Sequence, residues 1–185
     1  MALLKTGRCW FCWLVLWAAV AAPAAAQPAR PEYQIKAVFL FNFTLFAQWP
    51  ANAFGSADAP IVICVLGEDP FGAFLDEAVQ GEKVGNRPVL VQRVRRLEEL
   101  PPCHVLFVSA SEASRLPQIL TALGTRPVLT VSDMDRFTVS GGMIRFLREG
   151  GKVRLRINVE AAKAAGLTLS STLLRSAEIV TTEAR

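Results

Sequence analysis

Apolar and polar positions divide the chain into three regimes. The first is an unbroken apolar run from Cys9 to Ala22, preceded by Lys5 and Arg8 and followed by Ala24-Ala25-Ala26. A charged start, a short apolar middle and a small-residue end describe a secretory signal peptide. The run is about 14 residues long, short of the ~20 that a helix needs to cross a bilayer. Residues 1–26 are therefore read as a signal peptide cleaved after Ala26. Residues 27–32, with two prolines, are read as a flexible leader, and 33–185 as one domain.

The second regime predicts alternating helices and strands. Tyr33 to Trp49 lacks Pro and Gly and stops at Pro50, so it reads as a helix. Ile35, Val38, Phe39, Phe46 and Trp49 form its apolar stripe, interrupted by Asn42. Leu40, Phe41, Phe43 and Leu45 make it apolar nearly all round, which predicts burial on most sides. Ile61–Leu66 is a continuous apolar run and reads as a buried strand. A short helix is predicted over 70–79, strands over 88–94, 103–108 and 128–131, and a helix from a Ser109 or Ser111 cap to Leu123, closed by Gly124. Strands alternating with helices indicate an α/β domain with a mostly parallel sheet flanked by helices.

The third regime is a C-terminal β-hairpin. Met143–Arg148 and Lys152–Ile157 flank Gly150-Gly151, a strong two-residue turn signal. Position numbers of opposed residues then sum to 301. Ile144, Phe146, Val153, Leu155 and Ile157 share one face, and Arg145, Leu147, Arg154 and Arg156 the other. Arg145 falls directly opposite Arg156, an unfavourable like-charge pair. Glu149, a partner's carboxylate or a small anion are the candidates to offset it. Asn158 is expected to cap a helix from Val159 to Ala165 ended by Gly166. Ser170-Ser171 start a last helix through Leu173, Leu174 and Ala177.

Charge and chemistry narrow the function. The chain has 20 basic and 16 acidic residues; losing Lys5 and Arg8 leaves 18 and 16, a net +2. With no basic tract interleaved with aromatics, nucleic acid is not an expected partner. His104, the lone histidine, sits beside Cys103, but adjacent strand residues point to opposite faces, so no dyad is expected. The sequence holds no H-E-x-x-H, G-x-S-x-G, P-loop or G-x-G-x-x-G pattern. No cofactor, metal site or catalytic residue is expected. Cys9 and Cys12 leave with the signal peptide. Cys64 and Cys103 remain, and read either as one disulfide or as two buried thiols.

Two segments carry a resemblance. The first runs from Tyr33-Gln34-Ile35-Lys36-Ala37 through Phe39, Asn42 and Phe43 to Trp49-Pro50. The second comprises Gly141-Gly142-Met143-Ile144-Arg145-Phe146, Arg156-Ile157-Asn158, Ala161, Ala165-Gly166-Leu167, Ser170-Ser171 and Leu173-Leu174. In order and position they resemble the YfiR-like family. The resemblance implies a periplasmic protein that binds the periplasmic domain of an inner-membrane diguanylate cyclase, holds it inactive, and so limits cyclic di-GMP and biofilm formation. It also implies a disulfide, here Cys64–Cys103, and marks Lys36, Asn42, Trp49, Gly142, Asn158, Gly166, Ser170 and Ser171 as motif residues. A second, more C-terminal cysteine pair of some members is missing. The other classes considered are a periplasmic binder of a small anionic ligand, with Arg145, Arg154 and Arg156 as its site, and an enzyme with an unrecognised site. A second copy of the chain is a further candidate partner.

Overall fold

The fold is that of a computed structural model, which describes residues 30–182. The expected signal peptide, its Cys9 and Cys12, and the last three residues lie outside the described residues. Helix α1 (Arg30–Phe46) leads into β1 (Ala47–Gln48). It begins at Arg30, inside the stretch read as leader, and ends at Phe46, three residues before Trp49. The central region follows as β2 (Ile61–Leu66), α2 (Ala73–Val79), β3 (Lys83–Val84), β4 (Arg87–Val94), β5 (Val105–Val108), α3 (Leu116–Leu123) and β6 (Leu129–Ser132). The C-terminal part is β7 (Ile144–Glu149), β8 (Lys152–Asn158), α4 (Val159–Ala164), β9 (Thr168–Leu169), α5 (Ser171–Arg175) and β10 (Ala177–Val180).

Eight strands form one sheet in the order β10-β8-β7-β6-β5-β2-β4-β3. β4, β2, β5, β6 and β7 pair in parallel; β8 turns back antiparallel to β7, and β10 joins β8 in parallel. The mostly parallel α/β domain with its C-terminal hairpin is as the sequence predicts. β2, β5 and β6 are buried at every position, and the sequences of β2 and β5 are accordingly continuous apolar runs rather than alternations. Ile63, Val65, Phe107, Val131, Ile144 and Phe146 face a first core closed by Ala37, Leu40 and Phe43 of α1 and Leu75 of α2. Val62, Cys64, Leu66, Leu106 and Val108 face a second, closed by Leu116, Ile119 and Leu123 of α3.

Helix α1 corrects the sequence reading. Its buried face is Ala37, Leu40 and Phe43, while Ile35, Val38 and Leu45 are each 48% exposed. A helix apolar nearly all round carries little periodic signal. The sheet takes the face whose small Ala37 lets the backbones approach, and leaves one apolar stripe in solvent. The expected helix end at Ala177 also differs. Ser170 caps α5 by accepting from the Leu173 N–H, the helix stops at Arg175, and Ala177 opens β10.

The hairpin has the predicted register. Ile144 opposes Ile157, Arg145 opposes Arg156 and Phe146 opposes Leu155. Gly150 and Gly151 have φ of +56° and +75°, the left-handed conformation that a tight hairpin turn requires at both centres. Beyond it Asn158 is fully buried. Its carbonyl accepts from the Ala161 N–H and so caps α4, and its amide donates to the Thr138 carbonyl and to Thr182 Oγ1. Asn158→Ala removes the cap and strands a buried carbonyl, so it is expected to cost about 2–3 kcal/mol, measured by urea unfolding. A loss under about 0.5 kcal/mol would contradict this account of α4.

Candidate functional site

The two resemblance segments meet in space. β1 pairs antiparallel with β9, Ala47 against Leu169, and the Ser170 N–H donates to the Phe46 carbonyl. Phe39 and Phe43 of α1 lie 6.0 and 5.8 Å, ring to ring, from Phe146 of β7. Several motif residues serve this joint. Trp49 donates from Nε1 to the His104 carbonyl. Gly142 lies against the Phe137 ring, which an added Cβ would approach to 2.3 Å. Gly166 follows α4 beside Pro50, Ser170 caps α5, and Ser171 is its first residue. Asn42 sits half-buried on α1 between the exposed Val38 and Leu45.

Lys36 is different, because it is charged and only 4% exposed. Its ammonium lies 2.7 Å from Glu32 and 2.8 Å from Asp133, and 4.4 Å from the Tyr33 ring centre. Tyr33 donates its hydroxyl to the same Asp133 oxygen at 2.8 Å. Burial, and then Asp133, push the Tyr33 phenol well above its usual range. Arg148 reaches Glu32 at 3.6 Å. Glu32, Tyr33, Lys36, Asp133 and residues 145–148 line a shallow cavity of about 250 Å³. The first turn of α1 is thereby bolted to the loop after β6.

The arginine face of the hairpin is assembled as expected, but its counter-charges are not those expected. Arg145 pairs with Asp135, and its Nε is buried without a partner. Arg156 donates twice to Glu178, at 2.9 and 2.7 Å. Strand register sets the latter pair, since β10 places Glu178 directly beside Arg156. Glu149 instead lies opposite Lys152. Arg154 is exposed, and it lines a cavity of about 320 Å³ with Leu147, Glu149, Arg175 and Glu178. The sequence reading missed Asp133, Asp135 and Glu178. The one signal for the first two is the D-x-D at the end of β6.

Cys64 and Cys103, the pair for which the resemblance implies a bond, are brought together and carry free thiols here. Cys64 is fully buried on β2. Cys103 precedes β5 and turns its thiol to the Val105 carbonyl at 3.1 Å. Burial, and then the adjacent Cys64, raise the Cys103 pKa, so the Cys103 sulfur is not an activated nucleophile. His104 makes no dyad with Cys103. Its Nδ1 accepts from the Val62 N–H, its ring stacks 4.6 Å from Phe54, and burial lowers its pKa. Among the described residues no three His, Cys, Asp or Glu side chains are placed to hold a metal, and no helix is long and apolar enough to cross a membrane.

The YfiR/HmsC-like family model matches residues 33–178. The chain belongs to the YfiR/HmsC-like family. No curated protein matches the chain. The match runs from the first turn of α1 to the Glu178 of β10 that holds Arg156, so both resemblance segments and all of the sheet except the last two residues of β10 lie within the family domain.

Removing Lys36 tests the bolt between α1 and the β6 loop. Lys36→Ala leaves the Asp133 carboxylate, 14% exposed, with Tyr33 as its remaining side-chain partner among the described residues. The expected loss is about 3 kcal/mol, read from denaturant unfolding. Arg156→Ala, at the more exposed pair, is expected to cost under about 1 kcal/mol. Equal losses at the two positions would show that burial does not separate them.

Proposed function

We propose that this protein is an exported periplasmic regulator. It binds the periplasmic domain of an inner-membrane diguanylate cyclase, or a related receptor, and holds it inactive. Its loss then raises cyclic di-GMP and promotes biofilm formation. The observation that carries this reading is the family match over 33–178.

Two surface features support a protein-binding role. α1 exposes an apolar stripe of Ile35, Val38 and Leu45, the kind of surface that marks interaction sites. The outer face of the hairpin presents Arg154 beside Arg175, a rim that fits an acidic segment. A small-anion site at the hairpin is a second reading, drawn from the unpartnered Nε of Arg145. The internal pairing of Arg145 and Arg156 with Asp135 and Glu178 weighs against it, because the repulsion is already offset.

Capture from solubilised membranes tests the receptor. The mature protein is expected to retain a membrane receptor with a periplasmic domain, and Arg154→Glu to weaken that capture at least about tenfold, or 1.4 kcal/mol, with the fold unchanged. Deletion of the gene is expected to raise cyclic di-GMP. Unchanged levels together with no retained receptor would overturn the reading. Saturable phosphate binding that disappears in Arg145→Ala would replace it with the anion site.

Oxidation of Cys64 and Cys103 after export is part of the same reading. The bond would close a loop of 39 positions and stabilise the fold by up to about 4 kcal/mol. Protein isolated from the periplasm without reductant is expected to be lighter than the reduced form by two hydrogen atoms. Two alkylatable thiols in that material would rule the bond out.

A further inference from the structure

The order of the central strands opens a crevice away from the hairpin. β4 lies on one side of β2 and β5 on the other. The connection after β2 runs through α2 on the first core, whereas the connection after β5 runs through α3 on the second. Where successive connections leave toward opposite faces, no main chain closes the carboxyl edge, and open parallel sheets hold ligands there. This protein has a cavity of about 480 Å³ at that edge, between Gly67–Asp69 after β2, Arg93–Arg95 ending β4, and Ser111–Glu112 after β5. The volume lies within the range of small-molecule sites.

The crevice is built from locked polar groups. Ser111 Oγ accepts from the Glu68 N–H at 3.0 Å and donates to Glu112 at 3.2 Å, clipping two loops together. Gly67, at φ +91°, permits this approach: a Cβ there would lie 2.4 Å from Ser111 Oγ and 2.8 Å from Glu112 Oε1. The Glu112 carboxylate is 5% exposed and pairs with Arg115. Arg93 is held by Asp69 at 2.6 Å, by both oxygens of Asp76 and by the Gly72 carbonyl. With those charges matched, two ionised side chains of the lining remain without a charged partner among the described residues, Glu68 and Arg95, both exposed.

We propose that this crevice binds a small zwitterion, with its ammonium at Glu68 and its carboxylate or phosphate at Arg95. A simple anion would meet the carboxylates of Glu68, Asp69 and Glu112. A simple cation would meet Arg93 and Arg95. A molecule carrying both charges matches the two open groups at once, and their parent strands β2 and β4 are neighbours in the sheet, ~4.8 Å apart. A guanidinium gives the anionic end a two-pronged partner. The site is independent of the receptor reading, because none of its lining residues belongs to the hairpin or to α1.

Titration calorimetry on the mature protein tests it. The probes are phosphoethanolamine and 4-aminobutyrate, with ethanolamine, acetate and inorganic phosphate as single-charge controls. Saturable binding is expected for at least one zwitterion and for none of the controls. Arg95→Ala and Glu68→Gln are each expected to weaken it at least about tenfold, with unchanged thermal unfolding because both positions are exposed. No saturable binding of either zwitterion, a control that binds as tightly, or undiminished binding in both variants would overturn the proposal. Receptor capture is read separately, so neither failure stands for the other.

Discussion

Everything in this fold follows from three strands that cannot face water on either side. β2 and β5 are apolar along their length, and they and β6 are buried at every position. A parallel sheet of that kind exists only if both faces are covered. α1 and α2 cover one, and α3 covers the other. The cover on the second face runs out past β6. Thr130 and Ser132 there are already polar, satisfied by the Met143 N–H and the Val108 carbonyl. One strand further on, the same face carries Arg145, and then Arg156. The arginine face is thus the uncovered margin of a two-sided core.

The same constraint places the cleft. Covering both faces forces the connections after β2 and β5 apart, and the carboxyl edge opens between them. The hairpin face and the cleft are two consequences of one layering, at different places on the sheet. On the hairpin face Arg145 and Arg156 are opposed in register, and the protein supplies its own carboxylates, Asp135 and Glu178, to hold them.

The residues that carry the family resemblance mostly build the scaffold. Asn158 and Ser170 cap helices, Trp49 ties α1's exit to β5, and Gly142 makes room for Phe137. Lys36 bolts α1 to the β6 loop through Asp133. The exposed positions, Ile35, Val38, Leu45, Arg154 and Glu68, lie outside most of these roles. A family likeness of this kind identifies the fold strongly, and it leaves the choice of partner or ligand to surface side chains that the fold does not require.

Local chemistry was readable from the sequence alone. The Gly150-Gly151 turn determines the hairpin register, because two left-handed residues between alternating strands admit one pairing. The caps at Asn158 and Ser170 and the buried strand at Ile61–Leu66 are equally local, each needing only its neighbours in sequence. Contacts between distant residues were not readable. The face of α1 that the sheet accepts, the pairing of β1 with β9, and the addition of β10 beside β8 depend on surfaces formed by far segments. The partners Asp133 of Lys36, 97 positions away, and Glu178 of Arg156, 22 away, follow from those placements. A charge in the sequence states what a residue can bind, but only packing brings its partner within 3 Å, and only packing decides which apolar side chains are left in water.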